Sequence, residues 1–216
     1  MIYCTLSVGK EISENYSGDI NRLATKYDVV VLTDSPEYFS KCNLIEYNRD
    51  VFSYYEKLPL LLSLVLQNKE RVTYFDADSV NLIEDKNYEF DNESVYTYKI
   101  YEQKGFTEKQ LRNDVGVDVM LDIYEELGYK ICDYLHERIL SIPYSKKVAL
   151  VLEEILELQP LFEERYPKGK KWVNSNRDNI QKFSNTGCGY GEGGALSIVL
   201  KNNNIPTKTL EENRLI

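Results

Sequence analysis

The chain has 216 residues, of which 43% are hydrophobic and 12% aromatic, enough to bury the core of one domain. Its 26 Lys and Arg residues against 35 Asp and Glu residues give a net charge of −9. This balance argues against a surface that holds nucleic acid or an anionic membrane by bulk electrostatics.

The four cysteines are scattered along the chain without Cys-x-x-Cys spacing: Cys4, Cys42, Cys132 and Cys188. They therefore predict reduced thiols rather than a zinc site or a disulfide framework. Met1 runs directly into a strand-like segment, and no later apolar stretch reaches membrane-spanning length. We expect a cytoplasmic protein without a membrane segment.

The first part of the chain alternates between strand and helix patterns. Strand patterns cover residues 2–8, 27–34, 43–47 and 72–75. Helix patterns cover a short segment at 20–23 and a longer, largely apolar one that begins at Lys57 or Pro59 and ends at Asn68. This alternation predicts an α/β fold with a doubly wound, mostly parallel sheet flanked by helices.

Two carboxylates, Asp76 and Asp78, follow the strand pattern at 72–75. In an open α/β sheet the ligand crevice lies beyond the carboxyl ends of the strands, and two hard oxygen ligands there suit a divalent cation. Continued strand alternation would put both side chains on one face, whereas a turn beginning at Asp78 would aim them at one ion. Alternatively, both are ordinary acidic residues that end a strand and open a turn.

The second part of the chain is less regular. A strand pattern covers residues 95–101, and helix patterns cover 131–140 and 148–162. Residues 112–120, which include Asn113, fit either a strand or the opening of a helix that runs to Glu126. The only histidine, His136, lies in a helical pattern and is expected to be a surface or packing residue.

Two later segments have unusual compositions. Residues 168–172 form a basic patch that includes Lys170 and Lys171, and this is either a solvated loop or a lid whose lysines meet a diphosphate. Five of the eleven glycines lie at positions 187–194, directly before a helix pattern at 195–200. Glu192 is therefore expected near a helix N-terminus.

The segment that contains the two aspartates resembles the nucleotide-sugar domain of GT-A-type glycosyltransferases. The shared features are a helix that begins with Lys57, the apolar strand at 72–75, and the Asp76-Ala77-Asp78-Ser79 turn. The resemblance implies that Asp76 and Asp78 hold Mn²⁺ or Mg²⁺ against the diphosphate, with Asp78 the more direct ligand. It also implies that Lys57 and Asp76 bind the donor, and that a strand at 112–120 would line the donor sugar with Asn113 in the crevice, all within one GT-A-like domain. The lid interpretation of residues 168–172 adds Lys170 and Lys171 to the donor-binding residues. Residues 1–80 then form the nucleotide-sugar half, and residues 81–216 the acceptor and catalytic half.

The segment at 184–210 resembles the end of the family 6 retaining glycosyltransferases. In that family an Asp-Glu-Ser motif opens a helix, a Lys-Pro-Thr-Lys turn follows, and the Glu lies beneath the anomeric carbon. Glu192 is the matching residue here, but Gly191 and Gly193 replace the Asp and Ser, and the turn is Ile-Pro-Thr-Lys. The resemblance implies that Glu192 is the catalytic carboxylate and that the sugar is transferred with retention.

The sequence thus predicts a metal-dependent hexosyl- or pentosyltransferase. The donor would be a nucleoside-diphosphate sugar, and the acceptor a hydroxyl of a glycan, a small molecule or a modified base. Three alternatives remain: a haloacid dehalogenase-type phosphatase with Asp76 as nucleophile, an enzyme of nucleotidyl transfer, and an inactive sugar-nucleotide-binding relative. The phosphatase motif normally ends the first strand, whereas Asp76 follows a later one.

Overall fold

The structure is a computed structural model, and it describes residues 1–48, 56–84, 88–98, 117–130, 138–165 and 191–210. The strands in these ranges are β1 (Ile2–Ser7), β2 (Asp28–Thr33), β3 (Asn43–Glu46), β4 (Val72–Phe75), β5 (Val95–Thr97), β6 (Ile139–Ile142) and β7 (Thr207–Thr209). The α-helices are α1 (Lys10–Leu23), α2 (Lys57–Asn68), α3 (Val80–Ile83), α4 (Val117–Glu126), α5 (Lys146–Arg165) and α6 (Gly191–Asn202). A short 3₁₀ helix at Ala77–Ser79 lies between β4 and α3.

The described strands form one sheet in the order β3-β2-β1-β4-β6-β5-β7. Neighbouring strands pair in parallel except at β6, which is antiparallel to both β4 and β5. Helices cover both faces of this sheet. The predicted α/β class, a doubly wound and mostly parallel sheet flanked by helices, is confirmed.

The central strands are buried on both faces because helices pack on each side. Every residue of β1 is buried, and alternate side chains of the strand enter different hydrophobic clusters. Cys4 and Leu6 join the cluster that includes side chains of α2, α4, α5 and α6, whereas Tyr3 packs with side chains of α1 and α3. Among the described helices, none is both long enough and apolar enough to cross a bilayer.

The chain reverses its direction of travel across the sheet at β1. From β1 it proceeds to β2 and β3 on one side, and α2 then carries it back to β4 on the other side of β1. Such a reversal opens a crevice beyond the carboxyl ends of the two strands that flank it, and ligands of doubly wound sheets bind there. In this chain the crevice lies beyond β1 and β4, and Asp76 is the first residue after β4.

Helix α1 is longer than the predicted segment at 20–23. It begins at Lys10, and its buried side chains are Ser13, Ser17, Ile20 and Leu23. The first two are small and polar, so the apolar helical period is visible in the sequence only in the last turn. Ser13 satisfies its hydroxyl by donating to the main-chain oxygen of Ser7 at 3.2 Å.

One prediction for the second part of the chain is wrong where the structure describes it, and one open alternative is decided. The helix predicted at 131–140 does not extend to its end, because Ile139 and Leu140 belong to β6, between β4 and β5. The strand considered at 112–120 is replaced by α4 from Val117 onwards, which supports the helical alternative. Residues 112–116 and 131–137, with Asn113 and His136, lie outside the described residues.

Candidate active site

The two aspartates lie on a turn that begins immediately after β4. All four residues of β4 are buried, and Asp76 keeps an extended backbone with φ −66° and ψ 142°. The 3₁₀ helix at Ala77–Ser79 follows, and the N–H of Ser79 donates to the main-chain oxygen of Asp76 at 2.8 Å. The strand alternation therefore ends before Asp78, and the turn sets the direction of the second carboxylate.

The Asp76 carboxylate is oriented from the protein interior through one of its oxygens. Tyr74 donates its hydroxyl to Oδ1 at 2.8 Å, and Nζ of Lys57 lies 3.4 Å from the same oxygen. The Lys57 side chain is 4% exposed, whereas that of Asp76 is 34% exposed. Among the described residues no hydrogen bond reaches Oδ2 of Asp76, so this oxygen is available to a ligand.

The Asp78 carboxylate has one exposed and one buried partner. Nη2 of Arg138 donates to Oδ2 at 3.1 Å, and the hydroxyl of Ser79 donates to Oδ1 at 2.8 Å. Arg138 and Asp78 are 37% and 42% exposed, so their ion pair is solvated and contributes at most about 1 kcal/mol. A ligand that binds Asp78 can therefore displace Arg138 at small cost.

Arg138 also supports the other aspartate through its backbone. Its main-chain oxygen accepts the N–H of Asp76 at 2.9 Å, just before β6 begins. Arg138 was not predicted as a site residue, because residues 131–140 were predicted to be helical. An arginine that precedes a short β-branched and apolar run is the pattern that indicates its place at a strand end.

The charges of these four side chains cancel. Lys57 and Arg138 contribute two positive charges, and Asp76 and Asp78 contribute two negative ones. A diphosphate that enters this site meets no net positive charge from them, and its own charge must be balanced by something else. A divalent cation on the two carboxylates would balance it.

The chemistry of the donor set fits such a cation. Carboxylate oxygens are the ligands that Mg²⁺ and Mn²⁺ prefer, and Mg²⁺ commonly binds through one or two carboxylates plus substrate phosphates and water. Among the described residues, no group of three or more His, Cys, Asp or Glu side chains lies close enough together to hold a metal ion. A cation held by Asp76 and Asp78 would therefore complete its coordination with ligand oxygens and water.

A second wall of the crevice comes from the loops after β1 and β2. The N–H of Gly9 donates to Oδ1 of Asp34 at 2.9 Å, and Ser35 donates its hydroxyl to the same oxygen at 3.0 Å. Gly9 has a φ of 99°, in the left-handed region that favours glycine. These contacts join the two loops next to the turn that carries Asp76.

The remaining predicted site residues are described only in part. Glu192 lies in the first turn of α6, as expected for a residue near a helix N-terminus, but its side chain lies outside what the structure describes. Lys170 and Lys171 lie outside the described residues. The structure therefore brings together Lys57, Asp76 and Asp78, and adds Arg138 to them.

Comparisons with known proteins gave matches only among solved structures. No family model matches the chain, and no curated protein matches its sequence. The chain is similar to the crystal structure of the glycosyltransferase GlyE of Streptococcus pneumoniae TIGR4, with a TM-score of 0.48, 11% identity, and coverage of 98% of this chain and 45% of that one. The apo form of GlyE gives a TM-score of 0.47, 11% identity, and coverage of 96% and 44%. The chain thus spans less than half the length of these structures.

Proposed function

We propose that this chain is a glycosyltransferase that moves a sugar from a nucleoside-diphosphate sugar to a hydroxyl acceptor. The observation that carries the proposal is the position of Asp76 and Asp78 at the carboxyl end of β4, beside the crevice where the strand order reverses. In doubly wound sheets this crevice is the common site of nucleotide ligands. Paired carboxylates at that place suit a cation that accompanies a diphosphate.

Asp76 and Asp78 would hold Mn²⁺ or Mg²⁺, which when bound supplies positive charge against the phosphates of the donor. Lys57 and Tyr74 keep Oδ1 of Asp76 fixed, which orients the carboxylate before a ligand binds and leaves Oδ2 without a hydrogen bond from the described residues. The loop after β1 approaches the same crevice and is fastened to Asp34. Together these residues position the diphosphate end of the donor.

The chemical step requires charge stabilisation at two places. As the bond between the anomeric carbon and the diphosphate oxygen breaks, negative charge grows on the leaving group and positive charge on the sugar. The acceptor oxygen then bonds to the anomeric carbon, and its proton passes to the departing diphosphate. We assign stabilisation of the negative charge on the leaving group to Lys170 or Lys171. The charge on the sugar is assigned to the carboxylate of Glu192. Glu192 either stabilises the oxocarbenium-like sugar or orients the acceptor, and we propose transfer with retention on the basis of the family 6 resemblance at this motif.

The test is the thermal stability of the protein with nucleoside diphosphates. A panel of uridine, guanosine, adenosine and thymidine diphosphates is screened in Mn²⁺, in Mg²⁺ and in excess chelator. We expect at least one of them to raise the melting temperature in Mn²⁺ or Mg²⁺ and to lose that effect in chelator. Asp78→Asn should abolish the effect, whereas Asp19→Asn, on the outer surface of α1, should retain it.

Two results would contradict the proposal. The first is stabilisation of equal size in excess chelator, which would exclude the cation. The second is hydrolysis of phosphate monoesters by the wild-type protein with an aspartyl-phosphate at Asp76, which would establish the phosphatase alternative. If neither of these results is obtained and the donor binds, a screen of sugar nucleotides with hydroxyl acceptors identifies the transferred sugar.

A further inference from the structure

Arg138 is connected to both candidate metal ligands. Its main-chain oxygen accepts the N–H of Asp76, and its guanidinium donates to Oδ2 of Asp78. The backbone contact does not depend on the identity of the side chain. The guanidinium contact does, and it occupies one of the two carboxylate oxygens with which Asp78 could hold a cation.

A cation and Arg138 therefore compete for Asp78. Both partners of the ion pair are more than one-third exposed, so the guanidinium can leave the carboxylate at small cost. A released guanidinium beside a diphosphate has a second partner, because its planar set of N–H donors matches two phosphate oxygens. Lys57 cannot act in this way, since it is 4% exposed and held between Asp76 and the ring of Tyr74.

We propose that Arg138 is a positioning residue that exchanges Asp78 for the diphosphate of the donor when the cation binds. This inference rests on the proposed function. Its consequence is that binding of the cation and binding of the diphosphate are coupled. The cation binds weakly without the diphosphate because it must displace Arg138. The diphosphate gains Arg138 as a partner only after that displacement. Cation and nucleoside diphosphate then raise each other's affinity by the same factor.

The test separates the two ligands. Mn²⁺ binding is measured from the loss of the free Mn²⁺ electron paramagnetic resonance signal, with and without the nucleoside diphosphate that gives the largest thermal shift. Arg138→Gln removes the charge and keeps a hydrogen-bond donor. Arg22→Gln is the matched control, because Arg22 is an exposed arginine paired with the carboxylates of Asp19 and Glu84, and it lies outside the crevice.

For Arg138→Gln we expect Mn²⁺ alone to bind up to about fivefold more tightly than to the wild type, as removal of an exposed ion pair predicts. We expect the nucleoside diphosphate in saturating Mn²⁺ to bind about tenfold or more weakly, because a charge-assisted hydrogen bond is lost. The factor by which Mn²⁺ and the nucleoside diphosphate raise each other's affinity should therefore be smaller in Arg138→Gln than in the wild type. Arg22→Gln should match the wild type in all three quantities.

The outcomes are distinguishable. If the wild type shows cation-dependent binding of a nucleoside diphosphate and Arg138→Gln matches it, the inference is wrong and the proposed function stands. If the wild type shows no such binding, the proposed function fails and the inference fails with it. Should Arg138→Gln not fold, Arg138→Lys keeps the charge without the planar donors, and unchanged diphosphate affinity in that variant would overturn the exchange.

Discussion

Nζ of Lys57 lies 3.4 Å from Oδ1 of Asp76, and the lysine side chain is buried while that of the aspartate is one-third exposed. The second aspartate is paired differently, since Arg138 and Asp78 are both solvated. The two candidate metal ligands therefore contribute differently to the stability of the fold, although they are only two positions apart in the chain.

This difference predicts that two similar substitutions differ in their effect on folding. Asp76→Asn leaves a buried ammonium beside a neutral amide and should lower the free energy of unfolding by about 2 kcal/mol. Asp78→Asn breaks an exposed pair and should lower it by less than about 1 kcal/mol. Urea unfolding without added metal measures both, and equal losses would contradict the assigned role of Lys57.

A second prediction concerns a buried hydroxyl. Oγ1 of Thr5, in the middle of β1, is buried and has no hydrogen-bond partner among the described residues. Thr5→Val keeps the shape and removes the unsatisfied group, so it should raise the free energy of unfolding by about 1 kcal/mol. Thermal or urea unfolding measures the change.

Thr73 provides the matched control for this prediction. It is buried in β4, and its hydroxyl shares a hydrogen bond of 2.8 Å with the hydroxyl of Ser141. Thr73→Val should therefore lower the free energy of unfolding by about 1 kcal/mol, opposite in sign to Thr5→Val. A loss of stability in both variants would mean that a bound water satisfies Thr5.

A third prediction is that the free energy of unfolding depends on pH in the acid range. The ammonium of Lys208, which donates to Asp91 at 2.7 Å, together with the N–H groups of Ser94 and Glu93, holds the pKa of the Asp91 carboxyl well below its usual range. The Asp91 carboxylate is therefore protonated less readily in the folded state than in the unfolded state. Its contribution to the free energy of unfolding is complete above about pH 4 and is lost as the pH falls below it.

Asp91→Asn should accordingly unfold at lower urea concentration than the wild type at pH 7 and approach it as the pH is lowered below about 4. Lys208→Met removes the largest cause of the shift and should reduce the same pH dependence without abolishing it, since the backbone donors remain. A constant difference between Asp91→Asn and the wild type from pH 7 to about pH 3 would contradict this assignment.

A fourth prediction tests the role proposed for Glu192. If this carboxylate acts on the sugar or the acceptor, Glu192→Gln should keep donor affinity and slow transfer by about a hundredfold or more. If it only caps α6, the same change should lower stability by about 1 kcal/mol and leave turnover nearly normal. Melting temperature, donor affinity and turnover measured on one preparation distinguish the two roles.

The α/β class and the place of the aspartates were predictable because they depend on local patterns. Apolar β-branched runs specify the buried strands, and the carboxylates that follow one of them mark its end. The prediction for α2 allowed a start at Lys57 or Pro59, and the helix begins at Lys57. Helix α1 was underestimated because Ser13 and Ser17 lie on its buried face, where a sequence pattern expects apolar residues.

The sequence by itself therefore determined the fold class and placed Asp76 and Asp78 at the end of a strand, because both follow from hydrophobic periodicity along the chain. Only the tertiary structure decided that Ile139 and Leu140 form a strand between β4 and β5, and that Arg138 consequently reaches Asp78. A short, mostly apolar run such as 139–142 fits a helix or a strand equally well, and its choice depends on backbone partners that are distant in the sequence. The pairing of Asp78 with Arg138 follows from that choice, whereas the pairing of Asp76 with Lys57 joins α2 to the end of β4.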